Sequence, residues 1–574
     1  MHFIAILGLF SAISAAGSAT VGFEPTDQVP LLGPSFLSNF DPTNTDAIRN
    51  ATEAFPCVID ALFENGVLNK TDLTFAIDVF SAATNKSVYN YYHVGEGQNK
   101  TLTAGVLNDK TISRIGSVSK LFTVYAIIAK AGIDVFSHPV TRYIPELARN
   151  SSGDSLEHIN WDDITVGALA SHQAGSGGPT ELIIWLVLSG EAQPEDLINI
   201  TPEQLFKYMR DVKHPVTSPF QGAIYSDAGF LVLGQILARI SGQQYKDAVR
   251  DILFEPLALD GMSATMPNGS DINAIDRRPV DPDTTFDDDT AVLTPSGGLF
   301  ANGADLRAAG LSILNSELLS PSVTRQWMKP LAGTGSLVEL VGAPWEIHRL
   351  AVPTTPGSSR TRISDLYTKS GGNVDYTCIF GLSPDHGLGF SILVGGSTAS
   401  SARWEIRNAL GELFIPAAEA AAADNAQNNL AGTFIDQTTP GTNLTLSVDD
   451  DLPGLGLKAF YIGGVESFQN LTGTTKKASL RLFPTGLTSH PQSLASLYKA
   501  DGTIKVAHRT IKGFIPLKPR AKSEGGKGGL FDNQQVWQNI DFTDRFDEFI
   551  FTLDQGKLIS VESTGANKTF TRVE

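Results

Sequence analysis

Cysteine is nearly missing from this sequence. Its 574 residues hold only Cys57 and Cys378, which excludes a disulfide-dense scaffold and leaves no cysteine-based zinc spacing. Charge is sparse too, at 18% of residues, and the basic side chains are the minority: 43 Lys and Arg against 61 Asp and Glu, a net charge of −18. A nucleic-acid binder needs clustered positive charge to neutralise phosphates, so that class is set aside. No apolar run after the N-terminus reaches the ~20 residues of a membrane span. HExxH is absent, and so is the G-x-S-x-G nucleophile elbow, so the sequence implies no metal and no cofactor.

What remains is a globular balance, 42% hydrophobic with 54 Gly and 30 Pro, on a chain long enough for two or three domains. The charge is uneven. Residues 427–574 carry 16 basic and 15 acidic side chains (+1), so residues 1–426 hold 27 against 46 (−19). Two units with different electrostatics are expected. The first residues, Met1 to Phe10, are apolar and give way to small residues through Ala19, the pattern of a signal peptide over 1–19. Ten of the 26 asparagines stand in N-x-S/T: Asn50, Asn69, Asn85, Asn99, Asn150, Asn199, Asn268, Asn443, Asn470 and Asn567. Both features point to a secreted, extracellular glycoprotein. In that compartment Cys57 and Cys378 could close one disulfide, or stay as two buried thiols.

Along the chain, residues 20–68 form an extended lead-in and then a helix from Asp46 to Glu64, with Ile48, Phe55, Val58, Ile59, Leu62 and Phe63 at helical spacing before Asn65-Gly66. Leu73–Phe80 and Ser87–His93 pattern as strands. Residues from about 117 to 320 are mostly helical, Tyr367–Phe380 and Gly387–Val394 return to strand, and a helix runs from Ser401 to about Ala423. Strands before and after a helical middle predict one antiparallel sheet built from both ends of a domain over 69–424, an α+β fold. From 425 to 574, short alternating segments such as Leu444–Ser447, Ser479–Leu482, Phe549–Leu553 and Leu558–Val561 predict an all-β unit. The Lys- and Gly-rich stretch 518–529 is expected to be a loop, and Asp287-Asp288-Asp289 a solvated acidic one.

Three short motifs carry chemistry. Ser117-Val118-Ser119-Lys120 opens an apolar helix and places a hydroxyl and an amine on one face, one turn apart. A hydroxyl becomes a nucleophile only when a base takes its proton, and a helix start offers free N–H groups to developing negative charge. Tyr225-Ser226-Asp227 precedes a second apolar helix, and Lys369-Ser370-Gly371-Gly372 lies in a strand.

In this order the three resemble the S-x-x-K, Y-x-N and K-[ST]-G motifs of the serine beta-lactamase and penicillin-binding-protein superfamily. The class C branch is most similar, in a fungal-type secreted form with a C-terminal β domain. Leu169–Gly175, Phe254–Leu257, Pro295–Phe300 and Asp305-Leu306 resemble further segments of that branch, and the likeness covers roughly residues 70–420. It implies a beta-lactamase/transpeptidase-like domain, an antiparallel sheet flanked by helices plus a helical subdomain, followed by a smaller lipocalin-like β domain. It implies Ser117 as the acylated nucleophile, Lys120 and Tyr225 as the base system, and Lys369 holding the phenol. The N–H groups of Ser117 and Gly372 would form the oxyanion hole, with Ser370, Gly371 and Asp227 beside the substrate.

Asp227 stands where the family has Asn. A carboxylate accepts where an amide donates, and it would pair with Lys120 or Lys369. This weakens the expectation of penicillin hydrolysis more than that of ester chemistry. The implied activity is a hydrolase working through an acyl-enzyme on small or peptide-like ester, lactone or amide substrates. Acyl transfer at the same site, or a glycosylated binding protein that keeps the fold without the chemistry, are the alternatives. His172 is expected to be a structural hydrogen-bonder and His386 to sit in a hairpin turn.

Overall fold

The computed structural model describes residues 32–148, 156–178, 180–190, 200–269, 272–287, 291–358, 361–450, 452–468, 471, 480–490, 493–512, 542 and 545–573. The 1–19 segment, Asn150, Asn199, Asn470, Asp288, Asp289 and the 518–529 stretch lie outside them.

Helix α1 (Asp46–Glu64) leads into strands β1 (Thr74–Ser81) and β2 (Lys86–Val94). Much later come β3 (Ala332–Gly333), β4 (Glu339–Val341), β5 (Glu346–Pro353), β6 (Thr361–Asn373), β7 (Tyr376–Ser383) and β8 (Leu388–Gly395). They form one antiparallel sheet in the order β2-β1-β8-β7-β6-β5-β4-β3. Both ends of the domain therefore supply its sheet, as the pattern predicts. The expected strand Tyr367–Phe380 is in fact two. Asn373 to Tyr376 is a tight turn in which Val374 takes φ +52°, so β6 and β7 run back on each other.

Central strands β1, β7 and β8 are buried at every position, because both sheet faces are covered. Alternate residues divide between two cores. Phe75, Ile77, Val79 and Ile379 pack with α1 and with the long helix α4 (Ala399–Asn429). Phe80, Cys378, Phe380 and Leu382 pack on the other face with helices α2 (Ser119–Ala131) and α3 (Asp227–Ser241). Each fully buried side chain of this kind stabilises the fold by about 1.5–3 kcal/mol.

This division overturns the disulfide expectation. Cys57 is exposed on α1, Cys378 is buried, and both are free thiols. Cys378 belongs to the core on the α2 side and α1 to the core on the other, so the sheet stands between them. The alternative of two buried thiols fails at Cys57.

Beyond α4, strands β9 (Gly432–Ile435), β10 (Asn443–Ser447), β11 (Leu455–Ile462), β12 (Val465–Glu466), β13 (Leu480–Thr488), β14 (Thr503–Lys512), β15 (Glu548–Asp554), β16 (Lys557–Ser563) and β17 (Lys568–Arg572) make the second sheet. Its order is β10-β9-β17-β16-β15-β14-β13-β11, with β12 on the β11 edge, and a β10–β11 pairing closes it. This is an eight-stranded, lipocalin-like barrel. Its interior is filled by Phe434, Phe460, Phe549, Phe551 and Phe570 among others. Helix α4 joins the domains: Ile406 and Leu410 sit in the sheet core, while Ala422, Ala423, Ala426 and Leu430 sit in the barrel core. It therefore runs six residues past the expected Ala423 end.

Candidate active site

The nucleophile candidate is singled out by exposure. From Ser113 to Ile128 every residue is buried except Ser117. Ser117 stands in a 3-10 turn, Gly116–Val118, that feeds straight into α2. The turn is pressed onto β6 so closely that only glycine fits. A Cβ on Gly116, which has φ +51°, would lie 2.5 Å from the Gly372 nitrogen, and one on Gly371 would lie 1.9 Å from the Ile115 carbonyl oxygen. That close approach brings the Ser117 turn against the Gly372 backbone.

Strand β6 outruns its neighbour. Strand β5 pairs with residues 361–368 only, so 369–373 have a free edge on that side. The Ser370 N–H points off this edge, since it donates to Glu346 Oε2 at 2.8 Å. Alternation along a strand directs the Gly372 N–H the same way.

Lys120, wholly buried, donates to Ser117 Oγ at 3.0 Å, Asp227 Oδ1 at 2.6 Å and the Ser296 carbonyl at 2.8 Å. Asp227 begins α3 and also accepts from Ser296 Oγ at 2.7 Å. Burial alone would raise its pKa, but Lys120 and these donors hold the carboxyl below its ordinary value. The second ammonium, Lys369, donates to Glu346 Oε1 at 2.5 Å and the Ser370 carbonyl at 2.7 Å. Burial pulls Lys369 down, yet Glu346 and Tyr225 together hold it above its ordinary value.

Tyr225 lies between the two ammoniums, with Lys120 Nζ 4.9 Å and Lys369 Nζ 5.3 Å from its ring centroid. Ser117 and Lys369 are the groups that its hydroxyl interacts with most directly. Burial works to raise the phenol, but Lys369 and then Lys120 outweigh it and bring it below its ordinary value. Tyr225 is 47% exposed, so the site is open to solvent.

His172 stacks on Tyr225 with centroids 4.5 Å apart, and its Nδ1 accepts the Ser226 N–H at 3.0 Å. Burial and the two ammoniums push its pKa down to about 3. It is a neutral, structural ring, as expected.

The structure thus gathers Ser117, Lys120, Tyr225, Asp227, Lys369, Ser370, Gly371 and Gly372 in one place. Three residues went unseen in the sequence. Ser296 lies in the Pro295–Phe300 segment but carries no motif of its own. Arg403, on α4, donates through Nη1 to the Gly371 carbonyl at 2.6 Å. Glu346, on β5, accepts from Lys369 and from Ser370 and has no sequence signal, because strand register brings it there. Burial raises Glu346, but Lys369 and the Ser370 donors leave it below its ordinary value. Among the described residues, no cluster of three or more His, Cys, Asp or Glu is arranged to hold a metal, and no helix is long and apolar enough to cross a membrane.

One end of β6, on an antiparallel sheet with helices on both faces, thus carries an alcohol, two ammoniums and a phenol. Comparison with known proteins gives the class. Residues 80–411 match the family described as Beta-lactamase, and residues 422–574 match one described as Beta-lactamase-like-like, C-terminal domain. The chain belongs to the beta-lactamase family, within the beta-lactamase-like serine hydrolase superfamily. It is similar to a beta-lactamase-like protein of Arthroderma benhamiae, 26% identical over 522 residues, 83% of either chain. It is also similar to a probable hydrolase, clz13, of Cochliobolus lunatus, 26% identical over 435 residues, 68% of this chain and 67% of that one. Among solved structures, a class C beta-lactamase aligns at 18% identity and a TM-score of 0.47, over 64% of this chain and 97% of that one.

Proposed function

We propose that this protein is a secreted serine hydrolase that cleaves small or peptide-like esters, lactones or amides through an acyl-enzyme on Ser117. The observation that carries the reading is the Lys120 Nζ–Ser117 Oγ contact of 3.0 Å, beside a phenol flanked by two ammoniums. A phenol is too weakly acidic to serve as a base near neutrality unless neighbouring cations favour its phenolate, and Lys369 and Lys120 do so here.

In the first half-reaction the Tyr225 phenolate takes the Ser117 proton as Oγ bonds to the carbonyl carbon. The oxyanion rests on the N–H groups of Ser117 and Gly372, each donor worth roughly 3 kcal/mol in the transition state. Collapse breaks the bond to the leaving group, which departs with the proton from Tyr225. In the second, water attacks the acyl carbon and gives its proton to Tyr225. The acid leaves and the proton returns to Ser117.

Export is part of the proposal. The seven described sequon asparagines support it, since none is buried: Asn50, Asn69, Asn99, Asn268 and Asn567 are exposed, and Asn85 and Asn443 half-buried. A fluorophosphonate probe followed by mass analysis of the Ser117 peptide tests the nucleophile. An adduct absent from Ser117→Ala is expected; a folded wild-type protein that takes no label refutes it. For export, the secreted chain should begin after Ala19 and gain gel mobility on glycosidase digestion.

A further inference from the structure

We propose that the cleft meets its substrate with carboxylates rather than ammoniums, and so selects acyl groups that are neutral or cationic and carry hydrogen-bond donors over those that carry a carboxylate. The proposal rests on the Ser117 reading above and deepens it to a substrate class.

The argument is a count of donors. An ammonium has three N–H groups. All three of Lys120's are committed, to Ser117 Oγ, Asp227 Oδ1 and the Ser296 carbonyl. Two of Lys369's are committed, to Glu346 Oε1 and the Ser370 carbonyl, and the Tyr225 ring centroid lies 5.3 Å from its Nζ. A substrate carboxylate would have to break a bond of Lys120 or approach Lys369 past the more exposed Glu346 to be recognised.

Exposure points the same way. Each ammonium is sealed and each partner is open: the Lys120 side chain is 0% exposed against 37% for Asp227, and Lys369 1% against 30% for Glu346. Both hydrogen bonds to Asp227 fall on Oδ1, which leaves Oδ2 to accept from a substrate N–H or O–H. Glu346 and Ser370 line a cavity of about 230 Å³ beside the site.

Two other cations stand near, each giving part of its five-donor fork to the protein. Arg403 is turned onto the Gly371 carbonyl, with its guanidinium 4.5 Å from the Trp404 ring centroid. Arg407, across the cavity, donates to Asn408 Oδ1 at 2.8 Å. The −19 carried by residues 1–426 adds a long-range field that repels anions.

The test uses three p-nitrophenyl benzoates of one shape, bearing a 4-aminomethyl, 4-methyl or 4-carboxy group. The wild-type kcat/KM should favour the cationic ester over the anionic one by about tenfold, as expected for one charge pair near a protein surface. In Asp227→Asn and Glu346→Gln that ratio should shrink toward one or invert, whatever happens to the absolute rates. The matching benzamides, binding Ser117→Ala, should follow the same order in Kd. An anionic ester turned over as well as the cationic one, or a ratio unmoved in both variants, would overturn the proposal. If no ester is turned over and Ser117 takes no label, the hydrolase reading fails, and the Kd order on Ser117→Ala still decides the charge preference.

Discussion

Two of the domain's buried ion clusters differ in what they leave open. At the candidate site each ammonium is sealed while its carboxylate partner stays a third exposed. Across the sheet, Arg362 of β6 bonds Glu419 of α4 and Asp385 of the β7–β8 turn, and His386 of that turn bonds Glu419 at 2.9 Å. There Arg362 is 1%, Glu419 2% and His386 0% exposed. Charges sealed on every side can only hold chain together, here α4 against the sheet that it links to the barrel. Charges sealed on one side and open on the other retain a face for a ligand. Accessibility, rather than burial of charge, separates the working cluster from the structural one.

The largest expected effect lies at the open cluster. Ser117→Ala should lower ester turnover by at least about 10⁴-fold, with a nearly unchanged melting curve, because the residue is partly exposed and the change removes a single oxygen. Lys369→Met should act on the pH profile. Lys369 helps hold the Tyr225 phenol below its ordinary value, and the base form exists above that pKa. Removing the cation raises the pKa and leaves Glu346 uncompensated, so the acid limb of kcat/KM should move to higher pH by about one unit or more. A limb that stays in place would show that Tyr225 is not the titrating base.

At the sealed cluster the same kind of substitution should change stability and leave catalysis alone. Glu419→Gln leaves Arg362 with Asp385 as its remaining carboxylate partner and should cost up to about 3–5 kcal/mol of unfolding free energy, with KM unchanged. Burial alone would raise Glu419, but Arg362 and His386 bring its pKa down from 4.5 to about 2. A carboxyl depressed in the folded state stabilises it fully above 4.5, and that share is lost as pH falls toward 2. Denaturant melts of the wild type between pH 5 and 2 should lose stability that Glu419→Gln does not lose. Parallel pH curves for the two proteins would mean that the network is not the source.

These clusters also mark how far the sequence could be read. Ser117 and Lys120 are legible because their contact is local, one helical turn. Tyr225, Asp227 and Lys369 are legible only through likeness to motifs, and their meeting is a tertiary event. Glu346 is invisible, since it reaches Lys369 through a register that pairs Glu346 with Thr368, and no local pattern encodes that. The sealed cluster is equally silent: a strand arginine, a turn histidine and a glutamate within an alanine-rich run share no spacing. The same run hid the end of α4. Its periodicity fades near Ala423, but Ala426 and Leu430 are buried against the barrel, and that packing extends the helix to Asn429. The sheet built from both chain ends was legible because β1, β7 and β8 are short apolar runs, which is what strands covered on both faces require.

The smallest expected effect tests the contrast of open and sealed on two thiols. Cys57 is exposed and Cys378 is buried in the sheet, with its thiol pushed up by burial. Cys57→Ser should therefore change stability by less than about 0.5 kcal/mol, where loss of a disulfide closing so long a loop would cost roughly 2–5 kcal/mol. Without reductant, an alkylating reagent should add one label to the native protein, at Cys57, and two once it is denatured. A denatured chain that takes no label would restore the disulfide, and would require Cys378 and α1 to share one face of the sheet.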